Sequence, residues 1–399
     1  MKKILSGLLG IVMVISIPIN SNALVQDEDR YINSYYRSCS ENKIGAVENY
    51  DAVIVISDES ANSDGLSASG LAGATNGIIY AHSVENDAPG RMSSALEAAK
   101  DKPIYFVGGP KVIPYSLRNH MESKGFDCRY IEGENRIETS YAVAKEIEKI
   151  TGGVNEIAIT RAYKGEADAI SIAHEAKKRK MPVILTNGNS VPFDTSNLDK
   201  VYAIGGNKVI SDKLVKDTNA VRISGANRFL TNKAVIKYFG SDKNKSYVVV
   251  PYEDESYALI ASCVPNGNPV VLISDYSDKT ILEGAEKIKY VYASYEDVNM
   301  YVKATCENAT YGKSITDAMY KIYKTTGHSK NDYAYIYNPI DNYVGDKSFK
   351  SEYYIFSELN INNVFDYDES DYNILVRKSD GKIFTFGPGD SKPIQYRKY

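Results

Sequence analysis

Short, largely apolar runs alternate with stretches of helical periodicity over most of this chain. Ala52–Ile56, Glu156–Thr160 and Tyr247–Val250 read as strands, and Tyr141–Ile150, Asp168–Arg179 and Asn232–Phe239 as helices. Strands without a polar face, separated by helices, predict parallel sheets covered on both sides. From Thr325 onward the alternation stops. Tyr333–Tyr337, Glu352–Phe356 and Ile374–Phe386 follow one another as strand-like runs, and Asp380-Gly381 inside the last predicts a hairpin. Residues 325–399 therefore read as a small, mainly β domain of unassigned role.

The alternating part is repetitive. Ile131-Glu132-Gly133-Glu134-Asn135-Arg136-Ile137-Glu138-Thr139 and Ile223-Ser224-Gly225-Ala226-Asn227-Arg228-Phe229-Leu230-Thr231 share the pattern I-x-G-x-N-R-x-x-T. A glycine pair precedes each, Gly108-Gly109 in Val107–Ile113 and Gly205-Gly206 in Ile204–Ile210. Further upstream, Asp64-Gly65-Leu66-Ser67 answers Asp168-Ala169-Ile170-Ser171. Signatures recurring in one order mark a structural repeat. A third copy is eroded: Tyr257-Ala258-Leu259-Ile260 replaces the Asp-led tetrad, Pro269-Val270-Val271-Leu272 matches Pro182–Leu185, Tyr290–Ser294 replaces the strand and glycine pair, and Tyr311-Gly312-Lys313 is the remnant of the Arg signature. Asp29-Arg30 is a partial marker before the first copy. The repeats divide as residues 28–135, 136–227 and 228–316.

Composition narrows the function. Lys2 and Lys3, the apolar run Ile4–Ile19 and Ser21-Asn22-Ala23 form the three parts of a secretory signal over residues 1–23. After its removal no later stretch is long enough to span a membrane, so no membrane contact is expected. The formal net charge of -4 offers no basic field for nucleic acid. Cys39, Cys128, Cys263 and Cys306 lie far apart; export permits disulfides, and buried thiols suit the spacing equally. His82, His120, His174 and His328 stand isolated, and no G-x-S-x-G is present. Asp366–Asp371 lacks the glycine of a calcium loop and reads as a solvated acidic turn. No catalytic residue, metal or cofactor is expected.

The ordered set D-[AG]-x-S, P-[VI]-[IV]-L, I-G-G-x-x-x-I and I-x-G-x-N-R-x-x-T resembles the clostridial cell wall-binding repeat, type 2. The resemblance is specific in the second copy, good in the first and weak in the third. It implies an α/β fold of three Toprim-like or Rossmann-like modules with parallel sheets, packed around a pseudo-threefold axis, followed here by the β-rich domain. It also implies a secreted protein held non-covalently on the Gram-positive cell surface by an anionic secondary cell wall polymer. The alternative is a wall-anchored enzyme, or an adhesin pairing with other surface proteins, whose activity lies in the C-terminal domain.

The signatures allow two kinds of chemistry. Gly108-Gly109 and Gly205-Gly206 each follow a strand and precede a helix, where backbone N–H groups can hold an anion; a tight turn needing positive φ explains them too. Arg136 and Arg228 can fork onto phosphate or carboxylate. The third copy, however, has lost its Asp and its Arg together. That joint loss points to structural pairs Asp64–Arg136 and Asp168–Arg228, because losing one partner would strand a buried charge. Thr186, Asn187 and Ser274 follow strand ends, where ligands of α/β sheets bind.

Overall fold

The computed structural model describes residues 15–18, 49–57, 64–82, 89–253, 255–264, 267–291, 299–339, 351–361, 373–387 and 389–397. Arg30, Cys39, Ser294, Asp366–Asp371 and all of the export signal except 15–18 lie outside the described residues. The chain forms two compact units, Met1–Ile273 with Lys289–Ser294, and Ser274–Ile288 with Tyr295–Tyr399.

The first unit holds the first two repeat segments and the start of the third. Strands β1 (Ala52–Ser57), β2 (Gly77–His82), β3 (Pro103–Val107) and β4 (Asp127–Ile131) form a parallel sheet of order β2-β1-β3-β4. Helices α1 (Ala68–Ala74), α2 (Pro89–Ala95) and α3 (Tyr115–Ser123) connect them. The second copy repeats this topology after helix α4 (Arg136–Thr151): β5 (Glu156–Arg161), α5 (Glu166–Arg179), β6 (Val183–Thr186), β7 (Lys200–Ile204), α6 (Asp212–Asp217) and β8 (Val221–Ile223), in the parallel order β6-β5-β7-β8. Helix α7 (Arg228–Tyr238) leads into β9 (Ser246–Pro251), α8 (Glu255–Ser262), β10 (Val270–Ile273) and β11 (Lys287–Tyr290), with β9 between β10 and β11 and Ile15–Pro18 outside β11. The central strands are branched and apolar on both faces, and Val53–Ile56 are fully buried, as covered parallel sheets require.

Helices α4 and α7 each bond to the sheet that follows them. The Leu185 N–H in β6 donates to Ser140 Oγ of α4 at 3.0 Å. At the equivalent place Asn232 of α7 donates to the Val270 carbonyl at 3.0 Å and accepts from Leu272 N–H at 3.2 Å in β10. Helix α1 packs against α5 backbone to backbone. A Cβ placed on Gly73 would stand 2.0 Å from the Lys177 carbonyl oxygen, and one on Gly70 2.3 Å from that of Met181.

The second unit contains α9 (Met300–Thr310), α10 (Lys313–Thr326) and an antiparallel meander of β12 (Tyr333–Tyr337), β13 (Tyr353–Asn360), β14 (Asn373–Arg377), β15 (Ile383–Phe386) and β16 (Ile394–Gln395). The β-rich reading of the C-terminal segment holds for the strands but leaves out α10. Ile315, Ala318, Met319 and Ile322, one apolar stripe of α10, pack on Tyr335, Phe356, Ile374, Val376 and Ile383. The Asp380-Gly381 hairpin forms, with Val376 opposite Ile383, but Lys378–Gly381 make a four-residue loop closed by Arg377 N–H to the Lys382 carbonyl. Among the described residues no disulfide joins Cys128, Cys263 or Cys306, and no helix is long and apolar enough to cross a membrane.

Gly73→Ala tests the helix contact without asking for a forbidden backbone angle. The added methyl meets a carbonyl that cannot swing aside, so a loss of about 1–3 kcal/mol is expected in urea denaturation. Gly90→Ala, where nothing lies within 4 Å of the added carbon, serves as the tolerated control.

Candidate functional site

In the second sheet, β5 connects to β6 on one side and the chain then crosses to β7 on the other. Where the winding reverses, the loops after β5 and β7 part and leave a crevice beyond the carboxyl ends of the strands. A cavity of about 650 Å³ fills it, lined by Lys164–Asp168 after β5, Gly206–Val209 after β7, and Gly225–Arg228 with Thr231 after β8. The scattered signatures of the second repeat thus meet in one place. Lys164, Lys208 and Arg228 bring positive charge to it, Glu166 and Asp168 negative charge.

The I-x-G-x-N-R-x-x-T signature builds the wall after β8. The Ile223 carbonyl accepts the Gly205 N–H at 2.9 Å, as Ile131 accepts that of Gly108 at 2.9 Å, tying glycine turn to neighbouring strand. Asn227 caps α7 by accepting from Leu230 N–H at 3.0 Å, and Asn135 caps α4 by accepting from Ile137 and Glu138. The closing Thr folds the loop back on the helix: Thr231 Oγ1 accepts from Gly225 N–H at 3.0 Å, and Thr139 Oγ1 from Gly133 N–H at 3.1 Å.

The two glycines of each pair do different jobs. Gly205 has φ +114°, and a Cβ there would lie 2.5 Å from both Asp168 Oδ2 and Val209 Cγ2. Gly108 has φ +131°, with Val112 Cγ2 at 2.5 Å and Asp64 Oδ2 at 3.0 Å. The leading Asp of each repeat therefore rests against the first glycine of its own turn. The second glycine, Gly206, has open space where its Cβ would be, and Gly109 has only the Gly133 carbonyl at 3.8 Å. The helices after the turns begin at Tyr115 and Asp212, beyond the intervening loops. The helix starts on the crevice rim are instead those of α5 and α7.

The arginines turn toward the loop after the next strand of the chain. Arg136 donates to the Ala162 carbonyl at 2.7 Å, meets Glu166 at 3.6 Å, and lies over the Tyr163 ring at 4.5 Å. Arg228 lies over the Tyr252 ring at 4.8 Å. Among the described residues neither Asp64–Arg136 nor Asp168–Arg228 is a direct ion pair; each arginine acts on its Asp at longer range, lowering its proton affinity. Thr186 and Asn187 stay outside the crevice. Thr186 is buried and donates to the Ser190 carbonyl at 2.6 Å, while Asn187 Oδ1 accepts from Asn189 and Ser190 N–H in its own turn. Ser274 Oγ is buried as well.

Sequence reasoning missed the two side chains that lock the turns. Arg118 donates to the Gly108 and Ile113 carbonyls at 2.9 and 3.0 Å, and Arg222 to those of Gly205 and Ile210 at 2.8 Å each. Arg118 belongs to α3 and Arg222 to β8, so aligning the repeats does not superpose them. Lys164 and Lys208 were also missed, since nothing in the shared signatures marks them. Among the described residues no group of His, Cys, Asp and Glu could hold a metal.

Burial pushes the Asp168 carboxyl up to about 7; Arg228 opposes the rise and Glu166 adds to it. Burial raises Asp64 too, against a hydrogen bond from Thr139 and the field of Arg136. Burial also raises Glu255, and Glu166 adds to the rise while Arg228 and Arg136 oppose it, which places these four charges in one neighbourhood.

Two outcomes are expected. Gly205→Ala should lose about 2–3 kcal/mol from positive φ and the contact with Asp168, and Gly206→Ala should stay within about 0.5 kcal/mol of the parent, both by thermal denaturation. Asp168 binds its proton more tightly folded than unfolded, so its contribution is full below its ordinary value of 3.8 and is lost as pH rises through about 7. Between those limits it should cost roughly 1.4 kcal/mol per pH unit. Asp168→Asn should lack that slope and be the more stable protein at pH 8.

Residues 130–215, from the end of β4 to α6, match the model of cell wall binding domain 2. The chain is 26% identical over 202 residues to the N-acetylmuramoyl-L-alanine amidase LytC of Bacillus subtilis (strain 168), and 30% identical over 198 residues to the amidase enhancer of the same organism. These stretches cover 49% and 48% of this chain but only 39% and 27% of the two relatives, so the chain spans well under half of either. Its fold resembles that of Cwp6 from Clostridium difficile, with a TM-score of 0.53 and 23% identity over 67% of this chain and 46% of that one. The likeness to cell wall binding domain 2 thus lies in residues 130–215, the segment that runs from the first sheet through most of the second.

Proposed function

We propose that the protein is exported and held non-covalently on a Gram-positive cell wall by an anionic wall polymer seated in the crevice of the second repeat. One observation carries this reading: the segment that matches the family and the Ile223–Thr231 signature just after it enclose a cavity at the winding reversal of the sheet, with Lys164, Lys208 and Arg228 on its walls. Gly206 leaves the backbone bare there, which suits close approach by an anionic group. The first repeat offers Gly108-Gly109 and the Asn135 cap in the same arrangement. The third has Tyr257 in place of the leading Asp. Polymer contacts therefore fall to the first two repeats, residues 28–135 and 136–227, and the third, 228–316, completes the packing of the anchor. We read the protein as an anchor and not an enzyme. The C-terminal segment, residues 325–399, shares a core with helix α10 and is free to present a surface to other surface proteins.

The test is co-sedimentation with isolated Gram-positive cell walls. The protein should bind, and urea or low pH should release it without wall digestion. Gly206→Asp puts a carboxylate where the backbone is bare and should reduce binding at least tenfold while leaving the melting temperature nearly unchanged. Full binding by folded Gly206→Asp would move the polymer to another surface.

A further inference from the structure

Asp168 is an unusual residue to find on the wall of an anion site. It is 8% exposed, lines the crevice, and has Oδ2 against the first glycine of the turn. Among the described residues no donor hydrogen-bonds its carboxylate, in contrast to Asp64, which has Thr139. The charges around it come from every element of the crevice. Glu166 is on its own helix, Lys164 on the loop before it, and Lys208 on the glycine turn, whose carbonyl Arg161 of β5 holds at 3.0 Å. Arg228 stands at the start of α7, and Arg136 lies behind Glu166 at 3.6 Å. A second anion entering this space would face two carboxylates, one of them already tied by Arg136. The other has no partner that must be broken when it gains a proton.

We infer that Asp168 takes part in binding as a neutral carboxylic acid, donating its O–H to the anionic group of the polymer, so that capture of each polymer unit is coupled to uptake of one proton. The proton comes from solvent and adds to a carboxylate oxygen of Asp168; the polymer loses and gains no covalent bond. An ionised carboxylate at this place would repel the anion and offer it no donor. Burial has already brought the group to about 7, so little work remains for the incoming charge. Asp168 is thereby a specificity-determining group, favouring an anion that accepts a hydrogen bond over a neutral sugar. The inference rests on the crevice being the polymer site.

The experiment uses the full chain and isolated Gram-positive cell walls, with hydrofluoric acid-extracted walls, stripped of phosphodiester-linked polymer, as the blank. Affinity of the parent should be level in mild acid and fall by up to about tenfold per pH unit above neutrality, the limit for one proton. Asp168→Asn keeps an N–H donor in the same place. It should bind with a flat pH profile and more tightly than the parent at pH 8. Calorimetry in two buffers of different ionisation enthalpy should register about one proton taken up by the parent above neutral pH and none by Asp168→Asn. Parent binding without a pH slope, or the slope surviving in Asp168→Asn, would overturn the coupling alone. No binding to unextracted walls at any pH would overturn the wall-anchor reading and the coupling together.

Discussion

The crevice of the second repeat depends on the contact between a carboxylate and a glycine. Asp168 starts the core-facing part of α5, Gly205 follows β7, and the two sit so close that a Cβ on the glycine would stand 2.5 Å from the carboxylate. That approach fixes the distance between the loop after β5 and the loop after β7. It also forces positive φ on the first glycine and leaves the second with an ordinary angle and an open face. Arg222 then satisfies two carbonyls the bent turn exposes, and the Ile223 carbonyl takes the glycine N–H. The geometry recurs around Asp64, Gly108 and Arg118, so it belongs to the repeat and not to one copy.

This contact also explains a pattern that chain order alone put down to something else. Loss of the leading Asp in the third copy travels with loss of the Arg, which suggested a salt bridge between them. The arginines are in fact committed to the loop after the next strand, by the Ala162 carbonyl and Tyr163 in one case and by Tyr252 in the other. What the Asp meets directly is the glycine turn. Its loss therefore belongs with the replacement of the strand and glycine pair by Tyr290–Ser294 in the third copy, a change equally visible in the sequence but read separately.

Much of the architecture was legible from residue pattern. Apolar runs with no polar face gave parallel strands, and the duplicated signatures gave two sheets of the same order. The N-caps Asn135 and Asn227 sit at the helix starts that the Asn-Arg step marks. Three things were not legible. Thr186 and Asn187 are polar residues at a strand end, as a ligand site requires, but their side chains close their own turn, and local hydrogen bonds of that kind leave no mark distinguishable from function. Arg118 and Arg222 satisfy the same carbonyls from different positions, so comparing the copies hides them. Helix α10 precedes the segment whose composition shifts, yet its apolar stripe belongs to the core of the antiparallel sheet, a pairing set by tertiary contact and invisible to composition.

The bonds from Ser140 to β6 and from Asn232 to β10 carry a consequence for how such a chain divides and multiplies. A helix that begins at one Asn-Arg step roofs the sheet that comes next in the chain, so the heritable piece is a helix followed by its sheet, not a sheet followed by its helix. Duplication in that frame delivers a roofed layer each time, whereas a break placed between helix and sheet would leave one layer bare and the other with a surplus lid. Each α-to-β bond then closes inside one such piece, so a copy made in that frame carries the bond that seats its own roof.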